Sequence, residues 1–142
     1  MSGDARAAAT TDAPPAAVLL DTHAVLWFAL GDAHLPDSAR RIVTEVPLVY
    51  VSAASVWEIR TKHRLGKLDA AAGLVSGLPA HLRRLGFAPL PIEVEDAELA
   101  GALAGDHRDP FDRMLAAQAL QRGLPIVSND AALDPFGVTR VW

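Results

Sequence analysis

Asp21, Glu58, Asp112 and Asp130 stand where a carboxylate can do chemistry. Asp21 directly follows the apolar run Ala16–Leu20, and Asp130 follows Leu124–Ser128 by one residue. Asp112 lies at the head of HRDPFDRMLAAQA, residues 107–119, and Glu58 lies within VWEIRTKHR. The chain has no cysteine, which leaves no thiolate ligand, no cysteine nucleophile and no disulfide framework. Hard carboxylate oxygens without thiolates or paired histidines suit Mg²⁺ or Mn²⁺. Carboxylates a few ångströms apart repel by roughly 1 kcal/mol per pair even in water, and a divalent cation relieves that repulsion. Such a cation polarises a phosphoryl oxygen and lowers the pKa of bound water, so the chemistry indicated is hydrolysis of a phosphodiester.

These acids work together only if the elements around them bring them to one place. Ala16–Leu20, Pro47–Val51, Phe87–Ile92, Leu124–Ser128 and Val138–Trp142 read as strands. The first is apolar without alternation, as in a strand buried on both faces of a parallel sheet. Pro89 and Pro91 place the third at an edge, because proline cannot donate to the ladder. Between the strands, helices are expected over 24–30, from Asp37 or Ser38 to about 46, over 53–65 and over 93–103. The stretch 69–85, interrupted by Gly73, Gly77 and Pro79, reads as an irregular helix or two short ones. Asp109-Pro110 reads as a helix entry, with Asp as N-cap and Pro at the first helical position; that helix runs to about Gln121. Strands alternating with helices predict a three-layer α/β/α sandwich around a mainly parallel sheet of four or five strands. Ligands in such folds bind beyond the carboxyl ends of the strands, at a switch in strand order. Asp21 and Asp130 follow strands, and the helices bearing Glu58 and Asp112 begin at the same edge, so the acids are expected at one rim.

The 142 residues suffice for one domain with its own core, expected over 17–142. Residues 1–16, rich in Ala, Thr and Pro, read as a flexible extension. The net charge of −4 does not announce a nucleic-acid binder, so any basic surface is local; Arg60, Lys62, Arg64 and Lys67 form such a stretch. No run is apolar over the length needed to span a bilayer, and the N-terminus lacks the apolar segment of a secretory signal. A cytoplasmic location is expected.

LLDTHAVLW at 19–27, VSAASVWEI with KHRLGKL across 51–68, HRDPFDRMLAAQA at 107–119, and LPIVSNDAAL with the terminal VTRVW resemble the PIN-domain ribonucleases, in particular the VapC-like toxins of bacterial toxin–antitoxin pairs. The resemblance runs from Val18 to Trp142. It implies an acidic quartet at Asp21, Glu58, Asp112 and Asp130, serving as both metal ligands and catalytic residues. It implies a Mg²⁺- or Mn²⁺-dependent endoribonuclease inhibited by a cognate VapB-like antitoxin, and a homodimer. Ser128 departs from the family, whose members often carry Thr there, but keeps the hydroxyl.

Other readings stand beside this one. Glu58 and Lys62 are four residues apart, and an ion pair on a helix surface explains both. Ser52 and Ser128 either contact substrate or are a helix cap and a turn residue. Arg113 either orients a carboxylate, contacts phosphate, or is simply exposed. Trp27, Trp57 and Trp142 read as core or interface anchors rather than base-stacking platforms, and an antitoxin is expected along an apolar groove near Trp27 and Trp57. Two rival functions are a catalytically silent binding module of the same fold and a phosphatase using Asp21 as nucleophile. The phosphatase chemistry wants a second Asp two residues on, where this chain has His23.

Overall fold

The computed structural model describes residues 14–68 and 72–142. The expectation for residues 1–16 therefore falls almost wholly outside the described residues. The strands are β1 (Ala17–Leu20), β2 (Leu48–Ser52), β3 (Ala88–Leu90), β4 (Ile126–Val127) and β5 (Arg140–Val141). They form one five-stranded sheet in the order β3-β2-β1-β4-β5. Every pairing is parallel, with Leu19 opposite Ile126 and Val18 opposite Val49. β3, which carries Pro89, is an edge, as its sequence requires.

The chain runs outward from β1 to β2 to β3, then returns to lay β4 on the free side of β1. The strand order thus reverses between β1 and β4. In open parallel sheets such a reversal is the place where ligands bind, beyond the carboxyl ends of the two strands.

Helices cover the sheet: α1 (Thr22–Leu30), α2 (Asp37–Glu45), α3 (Ala53–Arg64), α4 (Ala72–Val75), α5 (Leu78–Arg84), α6 (Val94–Ala102) and α7 (Pro110–Arg122). A 3₁₀ turn follows over Ala131–Phe136. The stretch expected as one irregular helix or two is two, α4 and α5, with Gly77 in the left-handed region (φ 76°) at the entry to the second. α1 begins two residues before its expected start, because Asp21 caps it. α2 starts without a side-chain cap, with Pro36 in the cap position instead of Asp37 or Ser38.

Two apolar clusters lie on the two faces of the sheet. One joins Val18, Leu20 and Val51 to Val25 and Leu26 of α1, Ile59 of α3 and Leu82 of α5. The other joins Leu19 and Ile126 to Leu115, Ala116 and Ala119 of α7 and to Phe136. The alternation of Val18 and Leu20 with Leu19 is the two-residue period of a strand buried on both faces. Leu115 and Ala116 are wholly buried and Ala119 nearly so, so α7 meets the sheet through one leucine and two methyl groups.

Candidate functional site

Asp21 is the residue after β1, at the point where strand order reverses. Its backbone N–H donates to the Val127 carbonyl of β4 (3.1 Å). One carboxylate oxygen accepts from the Ala24 N–H at 2.7 Å and caps α1. The side chain is 7% exposed. Burial pushes the Asp21 carboxyl above its ordinary range; hydrogen bonds from Ser128 and Ala24 and the nearby His23 pull it back, and Asp130 pushes it up again. A buried acid with a capping bond and still a raised pKa is held against its own desolvation cost.

Glu58 lies on the inward face of α3 and is 3% exposed. Thr22, the first residue of α1, donates to its Oε1 at 2.6 Å, and Thr22 also bonds the Ser55 hydroxyl at 3.0 Å. Lys62 Nζ lies 2.6 Å from the other oxygen, Oε2. The expected Glu58–Lys62 pair therefore exists, but it is an anchor on a buried acid and not the exposed helix pair that would explain both residues away.

Asp112 sits in the first turn of α7, half-buried. Asp109 caps this helix, accepting from the N–H groups of Phe111 (2.9 Å) and Asp112 (3.2 Å). His107 Nε2 lies 2.9 Å from Asp112 Oδ2. Burial raises the Asp112 carboxyl; the His107 bond lowers it, while the charges of Asp109 and Glu58 raise it. Asp130, exposed, caps the 3₁₀ turn through Ala132 N–H (3.0 Å), and its own N–H donates to Ser128 Oγ (3.0 Å).

The acids fall into two electrostatically coupled pairs, Asp21 with Asp130 and Asp112 with Glu58. Thr22 bonding Glu58 next to Asp21 ties one pair to the other. Among the described residues no group of three acidic or histidine side chains is gathered as a ready metal cage. The four acids therefore do not form one closed ligand shell, and a hard cation that keeps several waters needs only one or two direct carboxylates. The donors are all oxygen, which is the right chemistry for such an ion.

Three expected substrate contacts are otherwise engaged. Ser52 is wholly buried; its hydroxyl donates to Gln118 Oε1 (2.5 Å) and caps α3 through Ala54 N–H. Ser128 is likewise buried and serves Asp130 and Asp21. The Arg113 guanidinium donates to the carbonyls of Ala100, His107 and Leu103 and lies over the Phe136 ring. Arg113 thus fixes the loop that carries His107, and its hydrogen bonds go to these carbonyls rather than to Asp112. Trp27 packs on His23, His34 and Trp142, whereas Trp57 packs on Phe111 and is 60% exposed. Of the hollows described, one is lined by Trp57 and none by Trp27.

Thr22, Ser55 and the His107–Asp112 contact were not legible as site features. Ser55 precedes Glu58 by three residues and so shares its helix face, and Thr22 follows Asp21; those spacings were the available signal.

The PIN domain family matches residues 18–137 of the chain. The chain belongs to the PIN domain family. Ribonuclease VapC22 of Mycobacterium tuberculosis (strain ATCC 25618 / H37Rv) is 27% identical over 132 residues, covering 88% of this chain and 98% of the relative. Ribonuclease VapC16 of the same strain is 40% identical over 58 residues, 40% of this chain and 41% of the relative. Among solved structures, VapBC2 from Rickettsia felis bound to a promoter DNA fragment superposes with a TM-score of 0.64 at 15% identity, covering 88% of this chain and 97% of that one. FitAcB from Neisseria gonorrhoeae gives 0.58 at 24% identity, covering 88% and 96%. These two likenesses concern the fold. In this PIN domain, the five parallel strands and the reversal beside β1 are what bring Asp21 and Asp130 to neighbouring strand ends.

Proposed function

We propose that this PIN domain is a metal-dependent endoribonuclease and the toxin of a toxin–antitoxin pair. The observation that carries the reading is a PIN-domain chain that keeps Asp21 buried directly after β1 and Asp112 in the first turn of α7. A relative named as a ribonuclease, matched over 88% of this chain, supports it. Asp21, Glu58, Asp112 and Asp130 are the proposed catalytic and metal-binding residues, and Mg²⁺ or Mn²⁺ is the proposed ion. When bound, the ion supplies Lewis acidity and a lowered pKa for water.

The chain's own residues prepare this. Asp21 is fixed by its cap bond to α1, and Thr22 and Lys62 hold Glu58 in one orientation. His107 does the same for Asp112. With each carboxylate already ordered, little rotamer entropy is lost when ligand arrives. Burial keeps Asp21 and Glu58 in a poorly solvated setting, where attraction to a cation exceeds its value in water.

The proposed partners are single-stranded RNA as substrate, a VapB-like antitoxin as inhibitor and a second copy of the chain; the proposed location is the cytoplasm. Antitoxin complexes among the structural neighbours support the second of these. Among the described residues no helix is long and apolar enough to cross a membrane.

The test is incubation of purified chain with an unstructured RNA and, separately, with a small phosphate monoester. Endonucleolytic RNA products that are absent in Asp112→Asn, with the monoester untouched, support the nuclease. Monoester hydrolysis lost in Asp21→Asn would instead establish the phosphatase, and inert RNA bound without cleavage would establish the silent binding module.

A further inference from the structure

The outer face of α3 combines three features that the acidic site does not use. Trp57 is a large aromatic side chain that is 60% exposed. Its ring meets the edge of Phe111 at 4.8 Å with the planes at 76°, so the indole is braced and its orientation is fixed. Arg60 and Arg64 follow at three and seven residues, which puts them on the same helix face as Trp57, and both are exposed. Neither arginine forms an ion pair among the described residues. Lys62, by contrast, is committed to Glu58.

The position of this stripe relative to the acids is set by the chain itself. Trp57 directly precedes Glu58, and Phe111, its brace, directly precedes Asp112. The aromatic pair and the Glu58–Asp112 pair therefore belong to the same two helices at neighbouring positions. Ala54, Ile92, Pro110 and Met114 complete a shallow apolar hollow with the two aromatic rings. From Trp57 to Arg64 the helix advances about 10 Å. The protein as a whole carries a net charge of −4, so an unpaired basic stripe on one helix is a local feature with a local use.

We propose that this face of α3 is a track for single-stranded RNA, with Trp57 stacking on a base beside the scissile linkage and Arg60 and Arg64 contacting the phosphates that lead away from it. An exposed aromatic platform followed by cations is the arrangement by which single strands are held without base-pair readout. Phosphate contacts supply affinity, and the stacked base sets the register that brings one linkage to the acids. A duplex cannot use Trp57, because its bases are already stacked. The proposal rests on the ribonuclease reading of the acidic site and specifies how that site selects its substrate.

The test uses the intact chain in EDTA, which separates binding from cleavage, with a fluorescently labelled unstructured RNA 12-mer followed by anisotropy and the same sequence as a duplex. Trp57→Ala is expected to weaken single-strand binding by roughly five- to 150-fold, the loss of one base–aromatic stack. Trp57→Phe is expected to recover part of the loss. Arg60→Ala with Arg64→Ala should reduce the dependence of log affinity on log salt by about 0.7 per contact. With Mg²⁺ present, Trp57→Ala should raise KM and spread cleavage over neighbouring linkages, since the stacked base sets the register.

Unchanged 12-mer affinity in Trp57→Ala overturns the proposal. So does a Trp57→Ala chain that changes from dimer to monomer in sedimentation while binding RNA normally, since the face would then be a protein interface. Equal affinity of wild type for single strand and duplex also overturns it. Circular dichroism of each variant establishes that it is folded. If wild type binds the 12-mer through Trp57 yet cleaves nothing in Mg²⁺ or Mn²⁺, the track stands and the nuclease reading fails.

Discussion

Asp21 does two things at once. It closes β1 and caps α1, and it is also the buried acid proposed to hold a cation. Its folded pKa is raised by burial, so its ionised form opposes folding. The penalty is absent below the unfolded value of about 3.9, grows as the pH rises toward the folded pKa, and is constant above it. Asparagine keeps the capping oxygen and removes the charge. Asp21→Asn is therefore expected to melt several degrees higher than wild type at pH 7 without metal, with the gap closing at pH 3; thermal denaturation at the two pH values checks it. An equal or lower melting temperature at pH 7 would mean that the charge is compensated within the protein. The sequence made Asp21 and Asp112 visible through their places at an apolar run's end and after a capped Pro. It did not show that Thr22 and His107 hold their neighbours, because both contacts join residues whose meeting depends on how the elements pack.

The helices that carry the acids are held by contacts of a different kind. α7 is clamped to α6 by Arg122, whose two terminal nitrogens donate to Asp96 at 2.8 and 2.9 Å. Asp96 is 1% exposed and also accepts from Glu93 N–H, closing a capping box. The Arg122 bond is the largest cause holding the Asp96 carboxyl below its usual range. A depressed folded pKa contributes stability that is present above the unfolded value and lost as the pH falls through the folded one. Removing Arg122 leaves a buried charge without its partner, at a cost of about 3 kcal/mol. Arg122→Ala is expected to lower the urea midpoint at pH 7 and to move acid unfolding to higher pH; an unchanged acid midpoint would show that the pair is energetically idle. The element pattern itself was readable. The edge position of β3 follows from its prolines and the start of α7 from Asp109-Pro110, both local chemistry. The Arg122–Asp96 clamp spans 26 residues, and no periodicity within either helix announces it. The inward bonds of Ser52 and Arg113 were not legible for a related reason. A hydroxyl near a strand end and an arginine beside an acid can each turn inward, and here buried acceptors, Gln118 and three carbonyls, were waiting.

At the scale of the whole molecule, strand order decides what the site is. A sheet ordered β3-β2-β1-β4-β5 leaves the carboxyl ends of β1 and β4 side by side, with Asp21 and Asp130 in the segments that follow them. Repulsion between those acids is a standing cost in the metal-free chain. A divalent ion that binds only the folded chain adds stability by mass action, about 2.7 kcal/mol at one hundred times its dissociation constant. Millimolar Mg²⁺ or Mn²⁺ is thus expected to raise the melting temperature of wild type and to leave that of Asp21→Asn nearly unmoved, and equal shifts in both would point to binding elsewhere. The most direct measurement is the initial rate of RNA cleavage as a function of Mg²⁺ or Mn²⁺ concentration, for wild type beside Asp21→Asn. The expected result is a saturable rise from no activity in EDTA for wild type and a flat line at background for the variant. Cleavage by wild type in EDTA at the rate seen with metal, or an Asp21→Asn curve that overlays wild type, would contradict it.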